Sequence, residues 1–354
     1  MNRTILISST HYPHLGGSAT NTYMIIKNLR NRGYHTIGIF YTNTTISVDP
    51  DNIGGVFKFN LEPFEKKDIK VVDKYRNLIN SVGHPTVMLC KNYLCSIYCK
   101  LLYPKVKNIY LVSGITHFSK FFPDFSSQYL LSNNINIPEF DEEIQAIESS
   151  DLIVSNSPMT LKLLHKIYPK YINKTYPIVV DTSKEMEDMD LYSNSSKVYD
   201  FIITASILTR TDKNNSFLID ILNNKVFNKY TKLIVGNDNH KFKNIKNSTV
   251  LEIVPHKNFL ELLSQCRVLL YPSLIDSNPN TIREAVNSKC LVVMSHNIGF
   301  FEKFPDFSIC RSYRKDEWIR KSLYSIKNYN KLIDNYHIDF GFEENIFQFI
   351  EKNA

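Results

Sequence analysis

Short apolar runs rich in β-branched residues recur along the chain, and amphipathic stretches separate them. In the first half the runs are TILISST, HTIGIFYT, GVFKFN, TVMLCK, NIYLVSG, DLIVSNS and PIVVDT. In the second half they are DFIITASI, KLIVGN, TVLEIVP, VLLYPS and LVVMSH. Their length and composition predict strands. The stretches TNTYMIIKNLRNRG, SPMTLKLLHKIYP, NNSFLIDILNNKVFNKY, NFLELLSQC and NTIREAVNSKC carry apolar residues at helical spacing. Strands alternating with helices predict βαβ units and largely parallel sheets. Runs that are apolar at nearly every position predict sheets covered on both faces.

The chain has 354 residues, more than one hydrophobic core usually serves, so two domains are expected. The stretch DTSKEMEDMDLYSNSSKVYD, from Asp181 to Asp200, is polar, poor in apolar residues and falls near mid-chain. It reads as a linker between two α/β domains with a cleft between them. The expected division is a first domain over 1–185, a linker over 186–199, a second domain over 200–325 and C-terminal helices over 326–354.

Composition adds little. Hydrophobic residues make up 43% and charged residues 22%, ordinary values for a globular protein. No apolar run approaches a membrane span. The start, MNRTILISSTHYPHLGG, lacks the layout of a signal peptide and reads as a first strand. A cytoplasmic protein is expected. Six cysteines form no C-x-x-C pair and lie mostly in apolar stretches, where a reduced thiol acts as a small hydrophobe. No zinc site is expected. The net charge of +7 comes largely from the region between Lys66 and Lys107. A solvated lysine-rich surface explains it, and peripheral contact with an anionic membrane is compatible with it. No basic block interleaved with aromatic residues points to nucleic acid.

Three segments carry candidate chemistry. In HYPHLGGSATNTYMIIKN, Gly16 and Gly17 stand between a strand and a helix. Paired glycines allow a close backbone approach, and the helix start can bind an anion; a tight turn explains them equally well. In TASILTRTDKNNSF, Arg210 and Lys213 follow a strand, placed to clamp a diphosphate or simply to face solvent. In YPSLIDSNPNTIREAVNSKC, Asp276 and Glu284 bracket a polar turn. Asn278 is expected as the helix N-cap and Pro279 as its first residue, with Ile282, Ala285 and Val286 buried. The amides of Asn280 and Thr281 then form an anion site at the carboxyl edge of a parallel sheet. Asp276 and Glu284 could accept hydrogen bonds from ligand hydroxyls, or merely favour the helix dipole and pair with a surface lysine.

The D-x7-E pattern between YPS and EAVNSKCLVVMSHNIGF resembles the E-x7-E signature of retaining GT-B glycosyltransferases, family 4 in particular. Other pieces match in order. HYPHLGGSATNTYMIIKNLRNRGYHTIGIF resembles the family's glycine loop, helix and second strand. VVDTSK resembles its segment near the inter-domain hinge, TASILTRTDKN its GRLxxxKG loop, and LIVGNDN its IVGxGP strand end. The similarity covers roughly residues 1 to 310. Asp stands for the first Glu, and Ser277-Asn278-Pro279 for the usual GFG.

The resemblance implies two Rossmann-like domains and transfer of a sugar from a nucleotide-sugar donor to a glycan, lipid or protein acceptor, with retention of configuration. Glu284 would hold the ribose hydroxyls and Asp276 the donor sugar. Arg210 and Lys213 would neutralise the diphosphate, with the amides of Asn280 and Thr281 and the Gly16-Gly17 loop completing its cradle. His117, just after a strand, would face the donor sugar. A UDP- or GDP-linked sugar is expected as co-substrate, with no cofactor. No D-x-D motif stands at a strand end, so no metal is expected. A catalytically inactive binding protein or an epimerase of the same fold is the alternative.

Overall fold

A computed structural model of the chain describes residues 3–10, 17–42, 55–114, 127–132, 139–181, 196–342 and 344–353. Two six-stranded sheets dominate it. The first contains β1 (Thr4–Thr10), β2 (His35–Thr42), β3 (Val56–Asn60), β4 (Val87–Lys91), β5 (Lys107–Val112) and β6 (Leu152–Ser155). Its order is β3-β2-β1-β4-β5-β6, and every pairing is parallel. The short strand β7 (Val180–Asp181) pairs with β14 (Glu344–Asn345).

The second sheet contains β8 (Tyr199–Ile207), β9 (Lys232–Asn237), β10 (Ser248–Leu251), β11 (Cys266–Tyr271), β12 (Leu291–Ser295) and β13 (Ile309–Cys310). Its order is β10-β9-β8-β11-β12-β13, again all parallel. The two sheets thus share one topology. The strand order reverses between β1 and β4 in the first and between β8 and β11 in the second. Ligands of open α/β sheets sit at such reversals, beyond the carboxyl ends of the strands.

The apolar runs have the predicted consequence. Ile5 and Ile7 of β1 enter one buried cluster with Ile25 and Leu29 of the helix Gly17–Asn31. Leu6 enters another on the opposite face, with Cys95 and Cys99 of the helix Tyr93–Leu102. All six cysteines are buried and free. The helices Ile69–Asn80, Tyr93–Leu102 and Asp141–Ser149 lie outside the amphipathic stretches picked out from the sequence.

The chain groups into two compact units. One is Met1–Ile115, Asn136–Thr182 and Gly341–Ala354; the other is Thr116–Ile135 and Ser183–Phe340. Two described helices therefore leave the unit that chain order suggests. Ser127–Ser132 groups with the second unit, where the Gln128 amide donates to Asn297 Oδ1 (3.0 Å). Ile346–Asn353 groups with the first, where Ile346, Phe347, Phe349 and Ile350 are buried in the β1 cluster. The expected linker over 186–199 lies outside the described residues up to 195.

Basic residues between Lys66 and Lys107 are not one continuous charge. Lys66 pairs with Glu62, Arg76 with Asp73 and Lys100 with Asp151. Lys91 is buried, donates to Asn21 Oδ1 (2.6 Å) and has its pKa lowered to about 7 by that burial. No described helix is long and apolar enough to cross a membrane.

Candidate functional site

The second sheet builds its site from the loops that follow β8 and β11, the neighbours at its reversal. After β8, Leu208 is buried and anchors the loop. A single 3-10 turn, Thr211–Lys213, follows, and Asn214 adopts a left-handed backbone (φ 51) before the helix Asn215–Leu222. Asparagine is among the residues that tolerate this conformation. The turn places Arg210 against Asp212, with Nε at 3.0 Å and a terminal nitrogen at 2.6 Å from the carboxylate. The Asp212 carbonyl accepts from the Leu274 amide and the Ser273 hydroxyl, which ties this loop to the one after β11.

Lys213 reaches the second loop. Its ammonium forms an ion pair with Asp276 Oδ2 and donates to the Tyr271 hydroxyl at 3.1 Å. The Tyr271 hydroxyl donates to the same Asp276 oxygen at 2.7 Å. Burial presses the Lys213 pKa down, but Asp276 and Tyr271 more than offset it and leave it above the ordinary lysine value. Burial raises the Tyr271 phenol, and Asp276 raises it further. The Asp276 backbone is fixed as well: its amide donates to the Asn297 carbonyl (3.2 Å), and its carbonyl accepts from Gly299 (2.8 Å).

The helix after this loop spans Asn280–Asn287. Its cap differs from the expectation. Pro279, not Asn278, holds the cap position, and no side chain caps the helix. The reason is a competing partner. Asn278 Oδ1 accepts from Nε of Arg283 (3.2 Å), a fully buried residue whose guanidinium lies 4.7 Å from the Phe340 ring centre and 5.3 Å from that of Phe300. Ile282 and Ala285 are buried as predicted, while Val286 is half-buried. Asn280 and Thr281 occupy the first turn, whose amides have no partner within a helix.

Glu284 is buried (6% exposed) and meets Nε2 of His256 at 2.9 Å. His256 opens the helix His256–Ser264 and is half exposed. Its hydrogen bond to Glu284 raises its pKa, against the effect of its own burial.

The structure therefore brings Lys213 and Asp276 into one ion pair, and gives Arg210 and Glu284 partners of their own. Gly17 is the first residue of its helix and belongs to the first unit. Gly16 and His117 lie outside the described residues. Sequence reasoning missed Tyr271 and His256. Tyr271 closes an apolar run, where an aromatic residue reads as core. His256 sits at a helix start, and the acid it meets, Glu284, is 28 residues away in sequence. It also missed Asn297 and Tyr313. Asn297 Nδ2 donates to the Tyr313 hydroxyl (2.9 Å), which donates to the Ser273 carbonyl (2.8 Å). Among the described residues no group of three or more His, Cys, Asp or Glu is placed to hold a metal ion.

No protein-family model matches this chain, and no curated protein sequence does. Solved structures do match. The sucrose-phosphate synthase of Thermosynechococcus elongatus is 13% identical, with a TM-score of 0.63 over 94% of this chain and 95% of that one. HepE of Anabaena, solved in complex with UDP-glucose, is 12% identical, with a TM-score of 0.66 over 94% and 92%. A glycosyltransferase of Rickettsia africae is 14% identical, with a TM-score of 0.62 over 95% and 92%. At such identity the likeness is one of fold. The chain has the GT-B fold, two Rossmann-like units each built on a six-stranded parallel sheet.

Proposed function

We propose that this chain is a glycosyltransferase of the family 4 type, transferring a sugar from a UDP- or GDP-linked donor with retention of configuration and without a metal. The observation that carries the reading is the placement of Lys213, Asp276, Glu284 and the Asn280 helix start at the carboxyl ends of β8 and β11. That is where an open α/β sheet binds its ligand. Departure of a nucleoside diphosphate develops negative charge on its phosphates. Lys213, Arg210 and the amides of Asn280 and Thr281 are fixed donors suited to stabilise it. Glu284, held by His256, would accept from the ribose hydroxyls, and Asp276 from the donor sugar. Gly16, Gly17 and His117 keep the roles the resemblance gives them, and the first domain would take the acceptor. A glycan, lipid or protein is the acceptor class. The exposed Lys67, Lys70, Lys74 and Lys105 support peripheral contact with an anionic membrane at the cytoplasmic side.

A second reading has one observation in its favour. Both cations already hold carboxylates, Lys213 with Asp276 and Arg210 with Asp212. A nucleotide-sugar-binding protein without turnover would tolerate such pairing. Titration with UDP- and GDP-sugars, followed by an assay for released nucleoside diphosphate over a panel of acceptors, separates the two. Glu284→Gln should weaken nucleotide binding about tenfold or more and abolish release, with the melting temperature little changed. Unchanged binding in this variant would remove Glu284 from the site.

A further inference from the structure

Asp276 is held from every side but one. Its backbone is bonded to Asn297 and Gly299. Its Oδ2 accepts from both Lys213 and Tyr271. Among the described residues its Oδ1 accepts no hydrogen bond, and the side chain keeps 15% exposure. A carboxylate can turn about its Cβ–Cγ bond, since that torsion is broad. An ion pair with lysine restrains it weakly, because an ammonium is a point charge with no directional fork. The phenol is different. Tyr271 ends β11, is buried on a rigid strand, and offers one hydroxyl hydrogen at 2.7 Å. It also accepts from Lys213, so the three groups close a ring.

We infer that Tyr271 is a positioning residue that sets sugar specificity, by locking the Asp276 carboxylate so that a single oxygen meets the donor sugar. The inference rests on the glycosyl-transfer reading above and deepens it. A locked Oδ1 accepts from a hydroxyl in one orientation, so an epimer at that carbon loses the bond and leaves the part-buried acceptor unpaired. The longer glutamate of the E-x7-E pattern would carry its oxygens one methylene further out. Here the shorter acid is compensated by a fixed direction. Lys213, held in the same ring, is kept aligned for the adjoining diphosphate.

The test is calorimetric titration of the whole chain with UDP, UDP-glucose, UDP-galactose, GDP and GDP-mannose. The wild type should bind one nucleotide sugar more tightly than its bare nucleoside diphosphate. Tyr271→Phe, which keeps the ring and removes the hydroxyl, should lower that sugar-dependent ratio by about fivefold or more. Affinity for the bare diphosphate should move less than about threefold. In an Asp276→Ala background, which removes the accepting oxygens, the same substitution should change nothing further, because the bond it removes is already broken. Tyr271→Met serves the same comparison if the phenylalanine variant does not fold. A merely structural tyrosine would weaken the diphosphate and the sugar form alike. An unchanged ratio in Tyr271→Phe, or a wild type whose affinity gains nothing from any sugar, overturns the inference and leaves the glycosyltransferase reading standing. A wild type that binds none of the five compounds removes both.

Discussion

His256 and Glu284 form a pair whose charge depends on pH. The folded-state pKa of His256 stands above its ordinary 6.5 because the imidazolium donates to Glu284. A group with a raised folded pKa stabilises the fold fully below its unfolded value, and the contribution is lost as pH rises through the folded value. Stability measured by urea unfolding should therefore fall between pH 6 and pH 8, and His256→Gln should flatten that slope. Half of the imidazole is in solvent, so the change is modest. An identical slope in the variant would mean that the pair does not form. The pair also marks the limit of what a chain of letters reveals. Asp276 and Glu284 stand out because eight positions and a helix start connect them. Tyr271 and His256 act through partners chosen in three dimensions, and nothing in their own neighbourhoods announces a role. The Asn278 cap fails for the same reason. Its oxygen goes to Arg283, a residue that local rules place on no particular face.

Elements were more legible than partners. All twelve apolar runs contain a strand, because short runs rich in β-branched and aromatic residues pack best on a sheet, at its half-exposed edges β3 and β10 as well as at its buried centre. Helices were seen where the apolar stripe is clean. They were overlooked where the stripe is broken by polar residues, as in Tyr93–Leu102, whose buried set includes Ser96 and two cysteines. One residue shows how tightly the second sheet is closed. Gly236, in β9, has φ +151°, and a Cβ there would lie 2.1 Å from the Ala205 carbonyl of β8. Gly236→Ala should cost more than about 2 kcal/mol, read as a lowered urea midpoint. A variant as stable as the wild type would show that β8 can move aside at its bulge near Thr204.

At the scale of the molecule, the two units share a strand order and exchange pieces of chain. Composition could locate a boundary near mid-chain, but it carries no signal for an exchange. The helix Ile346–Asn353 reads as a C-terminal amphipathic helix and gives no hint that its apolar face joins the buried cluster that contains Ile5 and Ile7 of β1. Phe349 is fully buried there. Phe349→Ala should destabilise the first unit by about 3–5 kcal/mol. Hydrogen exchange should then quicken in β1 and the helix Gly17–Asn31 and stay unchanged in β8 and β11. Equal acceleration in both sheets would mean that the units unfold as one.

That exchange of chain has a consequence for synthesis. Domains ordinarily fold as they leave the ribosome, the N-terminal one first. Here β1 and the helix beside it emerge early, yet four residues of the buried cluster they join belong to residues 346–350. The first sheet must therefore wait, with part of its apolar face uncovered, while all of the second unit is translated. During that interval the nascent chain is a natural client for a chaperone.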